Sequence, residues 1–265
     1  MTPLARLSGW CLLAWLACAG VAGCARPFHP PPDATMSADA AALMRAGDAS
    51  ARRSDWQAAI AQYDQARKAS PKSHLPLYGL ATAYDRLGGR DLVAIAYYRA
   101  YLAALPLGRA EDVGLVLGRI DELDRRAADR VNEMVSQARR MADEIPPDIW
   151  FDRTVDREKL LRSLPEITAR IQGGPPPRDG HRDRRGQPSD FATLEVNSWV
   201  AMAQSLRADP AACEPWTMLK AEAPKGPENA VRVVSALARS QADALASLRD
   251  LERKWQEKWD IAYPP

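Results

Sequence analysis

The sequence predicts an all-α protein, and three observations predict it. Apolar residues recur in steps of three and four over most of the chain, the spacing that gathers them on one face of a helix. Alternating apolar and polar segments, the pattern of half-buried strands, are absent. The chain is rich in alanine, leucine and arginine, all good helix formers, and has only 15 glycines in 265 residues.

A targeting segment has to be set aside before the fold is read. Residues 1–9 carry one positive side chain, Arg6, and no acid. Residues 10–22 are an apolar run that opens with Trp10, Cys11, Leu12 and Leu13. That run is shorter than the roughly 20 apolar residues a permanent membrane helix needs, and it suits a signal-peptide core. It ends in Val21, Ala22, Gly23 and Cys24. Small residues let the chain enter a peptidase site, and a thiol is nucleophilic enough to form a thioether.

These four residues resemble the lipobox of bacterial lipoproteins. The resemblance implies a signal peptide over 1–23, cleavage before Cys24, and covalent diacylglycerol and N-acyl lipid on Cys24. No other cofactor is expected. Ala25 follows, not aspartate; in such lipoproteins this implies the outer membrane, facing the periplasm. Each buried methylene of a lipid contributes about 0.8 kcal/mol, so more than one chain gives stable anchoring.

Removing residues 1–23 takes only Arg6 from the 36 basic side chains and leaves 35 against 34 acids. A strong nucleic-acid footprint needs a basic excess, so no nucleic-acid partner is expected. Of the four cysteines, Cys11 and Cys18 leave with the signal and Cys24 takes the lipid. Cys213 remains alone, which excludes an intramolecular disulfide; it reads as a small buried apolar residue, with pairing to a partner protein as the alternative.

Residues 24–37 contain Pro27, Pro30, Pro31 and Pro32. A proline cluster after a lipidated cysteine reads as an extended tether that holds the folded part off the bilayer.

Residues 38–106 carry the clearest internal pattern. Helical periodicity runs before and after a break at Arg53, Ser54 and Asp55. Gly47, Trp56, Ala59, Tyr63, Ala66 and Pro71 stand at fixed intervals: Gly47 to Ala59 is 12, Ala59 to Tyr63 is 4, Ala59 to Ala66 is 7 and Ala66 to Pro71 is 5. A second set follows in Leu80, Ala81, Tyr84, Leu87 and Gly88, then Ala94, Tyr98 and Pro106. The two sets resemble the tetratricopeptide repeat. Pro71 to Pro106 is 35 residues, against about 34 in the family, with the extra residue expected in the Gly88-Gly89 turn. The resemblance covers roughly a quarter of the chain. It departs from the family at Ser50, where an aromatic is usual, and at Tyr101, which replaces a small alanine.

That family pairs antiparallel helices, with small residues at close crossings and the aromatic filling the gap between neighbours. Its first helices line a groove that takes peptides. Carried over position by position, the groove falls on Met44, Arg45, Asp48 and Arg52 in the first unit and on Tyr78, Thr82, Asp85 and Arg86 in the second. Arginine and tyrosine are good anchors for peptide carboxylates and backbones.

About three repeats are usually needed to bury a core. Residues 110–145 offer the completion, with Val113, Leu117, Ile120, Leu123, Ala127, Val131, Met134, Ala138, Met141 and Ile145 forming a narrow seam. No turn residue interrupts Asp124, Arg125 and Arg126, so one long helix is expected. Its first half caps the repeats and its second half projects. The helix stops at Pro146-Pro147, closing a first domain over 38–145.

A short helical segment, 146–172, is expected to hold a helix from about Asp156 to Ile171, weakened at Pro165. Residues 173–189 hold four glycines and four prolines among arginines, the composition of a flexible linker. A C-terminal helical region, 190–265, opens with a helix over 190–207 that turns Phe191, Leu194, Trp199, Met202 and Leu206 inward. A loop with Pro210, Pro215, Pro224 and Pro227 comes next. The final helix begins near Glu228 and carries a seam of Val234, Leu237, Gln241, Ala244, Leu248, Leu251, Trp255 and Trp259. The long seams of 113–145 and 234–259 suit antiparallel packing within one chain or pairing between chains, and both options stay open.

No catalytic constellation stands out. His29, His74 and His181 lie apart, no spacing suggests zinc, and neither a nucleophile elbow nor a phosphate loop is present. The expectation is a non-enzymatic, membrane-anchored adaptor that docks protein partners of the cell envelope in a secretion, pilus or cell-wall machine. A self-associating structural lipoprotein and an accessory regulator of an envelope hydrolase are the alternatives.

Overall fold

The computed structural model describes residues 30, 32–105, 110–146, 150, 157–175, 189–222 and 226–262. The expected signal peptide 1–23, the expected lipidation residue Cys24, most of the expected tether before Pro32, and residues 176–188 of the expected linker lie outside them. The fold is all-α: ten helices and no strand occur among the described residues.

The first two helices form a hairpin. Helix α1 (Ala38–Arg52) begins at Ser37, whose side chain accepts from the Ala40 amide, and α2 (Trp56–Ala69) begins at Asp55, which accepts from Ala58. These side chains satisfy amides that have no partner inside a helix. The second hairpin is α3 (Leu75–Leu87) and α4 (Asp91–Ala104). Gly88 and Gly89 turn between them at φ 76° and 70°, a region closed to most side chains.

Helix α4 is the centre of the molecule. Every residue from Asp91 to Ala103 is buried. Its sequence is apolar on all sides, which is what a helix without a solvent face requires. α3 covers one side; α5 (Ala110–Glu144) and α7 (Ser189–Ala208) cover the others. The departure at Tyr101 has a physical use here: the ring is fully buried, 5.1 Å from Tyr78 and 5.9 Å from His74.

α5 is one unbroken helix of 35 residues, about 52 Å long at 1.5 Å per residue. Its second half does not project, contrary to the sequence expectation. Val131, Met134, Ala138 and Ala142 are all buried, because α6 (Arg157–Arg170) and α10 (Pro227–Ala262) pack along it. The sequence held the covering seams, but their pairing is a long-range contact that local periodicity does not encode. α6 passes through Pro165 without a stop, held by the fully buried Leu164 and Ile167 on either side.

The two long seams meet within one chain. Asp124 pairs with Arg249 at 2.5 Å, while Asp121 three residues earlier lies in the field of Glu252 three residues later. Opposite progressions along two helices make α5 and α10 antiparallel. On the α10 seam Val234, Leu237, Gln241, Leu248, Trp255 and Trp259 are buried, and Ala238, Ala242 and Leu245 widen it where α6 joins.

α7 differs from its expected facing. Leu194 is 59% exposed and Glu195 is buried. Trp259 decides this: its indole Nε1 donates to Glu195 at 2.8 Å, so the acid has a buried partner and the leucine does not. Trp199 and Leu206 are buried as the periodicity indicates, and Phe191 packs edge-on to Trp259 at 4.3 Å.

The segment expected as a loop after α7 contains two short helices, α8 (Pro210–Cys213) and α9 (Pro215–Glu222). Each opens on a proline, whose missing amide is not needed at the first helical position. Asp209 caps α8 through the Ala211 amide. The side chain of Cys213 lies outside the described part of the structure. One continuous apolar core joins α2 through α10, so the segments 38–145, 146–172 and 190–265 fold around shared contacts.

Candidate functional site

The eight residues of the expected groove lie on α1 and α3. Their surroundings divide them into two groups. Arg45, Arg52 and Arg86 are exposed, and no carboxylate of the described residues pairs with them. The acids between them are engaged. Asp48 accepts the Tyr63 hydroxyl at 2.8 Å. Asp85, its side chain only 6% exposed, takes a two-pronged pair from Arg119 of α5 at 2.6 and 2.7 Å. Burial pushes the Tyr63 hydroxyl well up from its ordinary value, and the Asp48 carboxylate adds to that shift. The proton therefore stays on the phenol as the donor in this bond.

The remaining residues support the face. Met44 is half-buried against the core. Tyr78 is half-buried between the rings of Tyr101 at 5.1 Å and Tyr98 at 6.1 Å. Thr82 donates its hydroxyl to the Tyr78 carbonyl at 2.9 Å, a bond within its own helix.

α5 extends this region with a ladder of arginines. Arg119 holds Asp85; Arg126 and Arg130 hold Asp91 at 2.6 and 2.5 Å. Asp91 is the first residue of α4 and 1% exposed, so the positive end of the helix dipole also favours its charge. The arginines come from a helix 30 and more residues away, a link that sequence reading missed. The 3- and 4-residue steps of Arg119, Glu122, Arg126 and Arg130 were the available signal.

The end of the expected tether is also part of the structure. Asp33 accepts the His74 amide at 2.9 Å and lies 3.1 Å from the His74 ring, and the Ser37 amide donates to Ser70 at 2.9 Å. Burial pushes the Asp33 carboxyl up, but hydrogen bonds from Ser73 and Thr35 and the nearby His74 outweigh it and hold the carboxyl below its usual value. Residues 33–37, expected as tether, are therefore tied to the folded part.

A second charged group sits deep in the molecule. Arg99 of α4 is buried and pairs with Glu252 of α10 at 2.6 Å; Arg249 clamps Asp124 at 2.5 and 3.0 Å. Burial pulls the Arg99 guanidinium down from its ordinary value, against the pull of Glu252, Asp121, Asp124 and Glu195. Arg99 with Glu252 and Arg249 with Asp124 each pair a charge with a counter-charge from another helix.

Among the described residues no group of three or more His, Cys, Asp and Glu side chains could hold a metal ion. No described helix is long and apolar enough to cross a membrane. No family model, no curated protein and no solved structure matches this chain.

Proposed function

We propose that this protein is a lipid-anchored adaptor of the cell envelope, built on tetratricopeptide-like hairpins, whose α1–α3 face docks acidic peptide segments of partner proteins. The observation that carries the reading is the imbalance of that face. Asp85 is paired with Arg119 within the chain, and Asp48 keeps its charge while accepting the Tyr63 hydroxyl, so one open carboxylate stands against three arginines. Arg45, Arg52 and Arg86 keep their guanidinium groups exposed. A guanidinium fork matches a carboxylate in two-pronged geometry, so the partner that completes this face is an acidic one. The lipobox resemblance at Val21–Cys24 supports a periplasm-facing position at the outer membrane.

Photocrosslinkers placed at positions 45 and 86 of the full-length protein test this in cells. A discrete adduct that disappears on Arg52→Glu is expected. Crosslinks that survive the charge reversal, or no adduct from either position, overturn the proposal.

A further inference from the structure

A cleft of about 1090 Å³ opens on the far part of the molecule, over α10 and between α6, α7 and α8. Its floor and walls combine aliphatic side chains with five serines, Ser163, Ser205, Ser235, Ser240 and Ser247, and charged groups of both signs.

The charges do not cancel in their effect. Asp243 is engaged by Arg170. Asp209 spends one oxygen on the Ala211 amide at 2.9 Å and the other on the Ser240 hydroxyl at 3.4 Å. Arg239, half-buried on the cleft wall, has no carboxylate of the described residues within ion-pair reach. Asp209 keeps its charge, since both its donors are neutral, but the lining sets three cations, Lys159, Arg232 and Arg239, against two carboxylates, one of them already engaged by Arg170, so the excess charge of the cleft is positive.

The serines are polarised in one sense as well. Ser163 donates to the Leu160 carbonyl at 2.8 Å, Ser235 to Val231 at 2.9 Å and Ser247 to Asp243 at 2.8 Å. Their protons are committed to their own helices. What they turn to a ligand is lone pairs, which accept from O–H and N–H donors. A ligand that satisfies the cleft needs a carboxylate for Arg239 and a row of donors for the hydroxyls. A polyol acid meets both needs. Its C–H faces also suit the aliphatic strip.

We propose that this cleft binds a short anionic glycan, a sugar acid or uronate oligosaccharide, with Arg239 taking the carboxylate and the serines accepting from sugar hydroxyls. The site is separate from the α1–α3 face, on other helices.

Calorimetric titration of the full mature chain tests the assignment with three probes: trigalacturonate, maltotriose and tricarballylate. The first carries carboxylates and hydroxyls, the second only hydroxyls, the third only carboxylates. Saturable binding of trigalacturonate is expected, with the other two at least about tenfold weaker, because each lacks one of the two sets of contacts, the carboxylate for Arg239 or the hydroxyls for the serines. Arg239→Gln weakens trigalacturonate by about tenfold or more, while Arg86→Glu on the distant α3 face leaves it unchanged. The helical circular-dichroism signal and melting temperature of Arg239→Gln serve as the folding check, and Ser205→Ala supplies a second variant. Equal affinity for all three probes, no saturable binding of trigalacturonate, or binding indifferent to both Arg239→Gln and Ser205→Ala overturns the proposal.

Discussion

The ring of Tyr63 occupies the space that a β-carbon on Gly47 would need. Such an atom would lie 2.4 Å from Tyr63 Cε1, and one on Gly79 would lie 2.9 Å from Cδ1. Tyr63 is thus a wedge on α2 between α1 and α3, and both neighbours must be glycine for it to enter. Gly118 of α5 has nothing within 4 Å of a built β-carbon. The two glycines therefore respond oppositely to alanine. Gly118→Ala stabilises by about 0.5–1 kcal/mol through helix propensity. Gly47→Ala gains the same term but overpacks against a buried ring, which costs about 1–3 kcal/mol, so its net effect is destabilising. Urea titration of both variants checks the sign. A stabilising Gly47→Ala shows that the wedge is loose.

The buried pair of Arg99 and Glu252 leads to a second prediction. Arg99→Met removes the cation from an acidic surround of Glu252, Asp121 and Asp124 on two helices. Loss of one member of a buried pair costs about 3–5 kcal/mol. Pairing the change with Glu252→Leu should recover most of it, since packed apolar side chains replace buried ion pairs at little cost. A double variant no more stable than Arg99→Met alone would place the role of Arg99 elsewhere than in its pair with Glu252.

Asp33 predicts an acid-sensitive contact. Its folded-state value lies below the ordinary carboxyl value. The stabilisation is therefore complete above the unfolded value near pH 4 and is lost as the pH falls through the lower, folded value. Wild type should melt above Asp33→Asn at pH 6, and the gap should narrow below about pH 4 as the wild-type carboxyl takes up its proton. A gap that stays constant from pH 6 to pH 3 removes Asp33 from the account.

The first four helices were legible because their punctuation is local. Ser37, Asp55 and the Gly88-Gly89 turn mark ends within the sequence, and Ala59, Tyr63 and Ala66 mark the contact face. The unbroken α5 was legible for the same reason, having no turn residue to end it. Three features were not. Leu194 and Glu195 exchange places because hydropathy favours the leucine, whereas a tryptophan 64 residues away supplies the acid with a partner. Pro210 and Pro215 read as loop residues, although a proline at a helix start is compatible with the helix that follows. The state of the α1–α3 face depends on Arg119, 34 residues beyond Asp85, so the spacing that locates the face cannot show which of its charges are already paired.

Asp91 at the start of α4 gives a prediction about the arginine ladder. It is 1% exposed and holds both Arg126 and Arg130. Asp91→Ala removes an acid from a helix N-terminus and the partner of two charges, for a cost of about 2–4 kcal/mol. Arg130→Ala alone should cost less, because Arg126 stays on the carboxylate. Denaturant midpoints for the two variants test the order; a larger loss for Arg130→Ala would shift the weight of the contact from the buried acid to the α5 arginine.

Cys24 yields the last prediction, which rests on the proposed lipid anchor. The contacts of Asp33 with His74 fix the start of the folded region. Residues 25–32 then span at most roughly 28 Å at about 3.5 Å per residue. An anchor on Cys24 would therefore keep the first hairpin within a few nanometres of the bilayer. Cys24→Ala should move the protein from the membrane to the soluble fraction and leave its melting temperature unchanged, because no described contact depends on residue 24. Asp33→Asn should leave fractionation alone and raise hydrogen exchange at Thr35 and Ser37. If Cys24→Ala still sediments with membranes after an alkaline wash, the lipid anchor is rejected, and the helical fold and its charged faces stand without it.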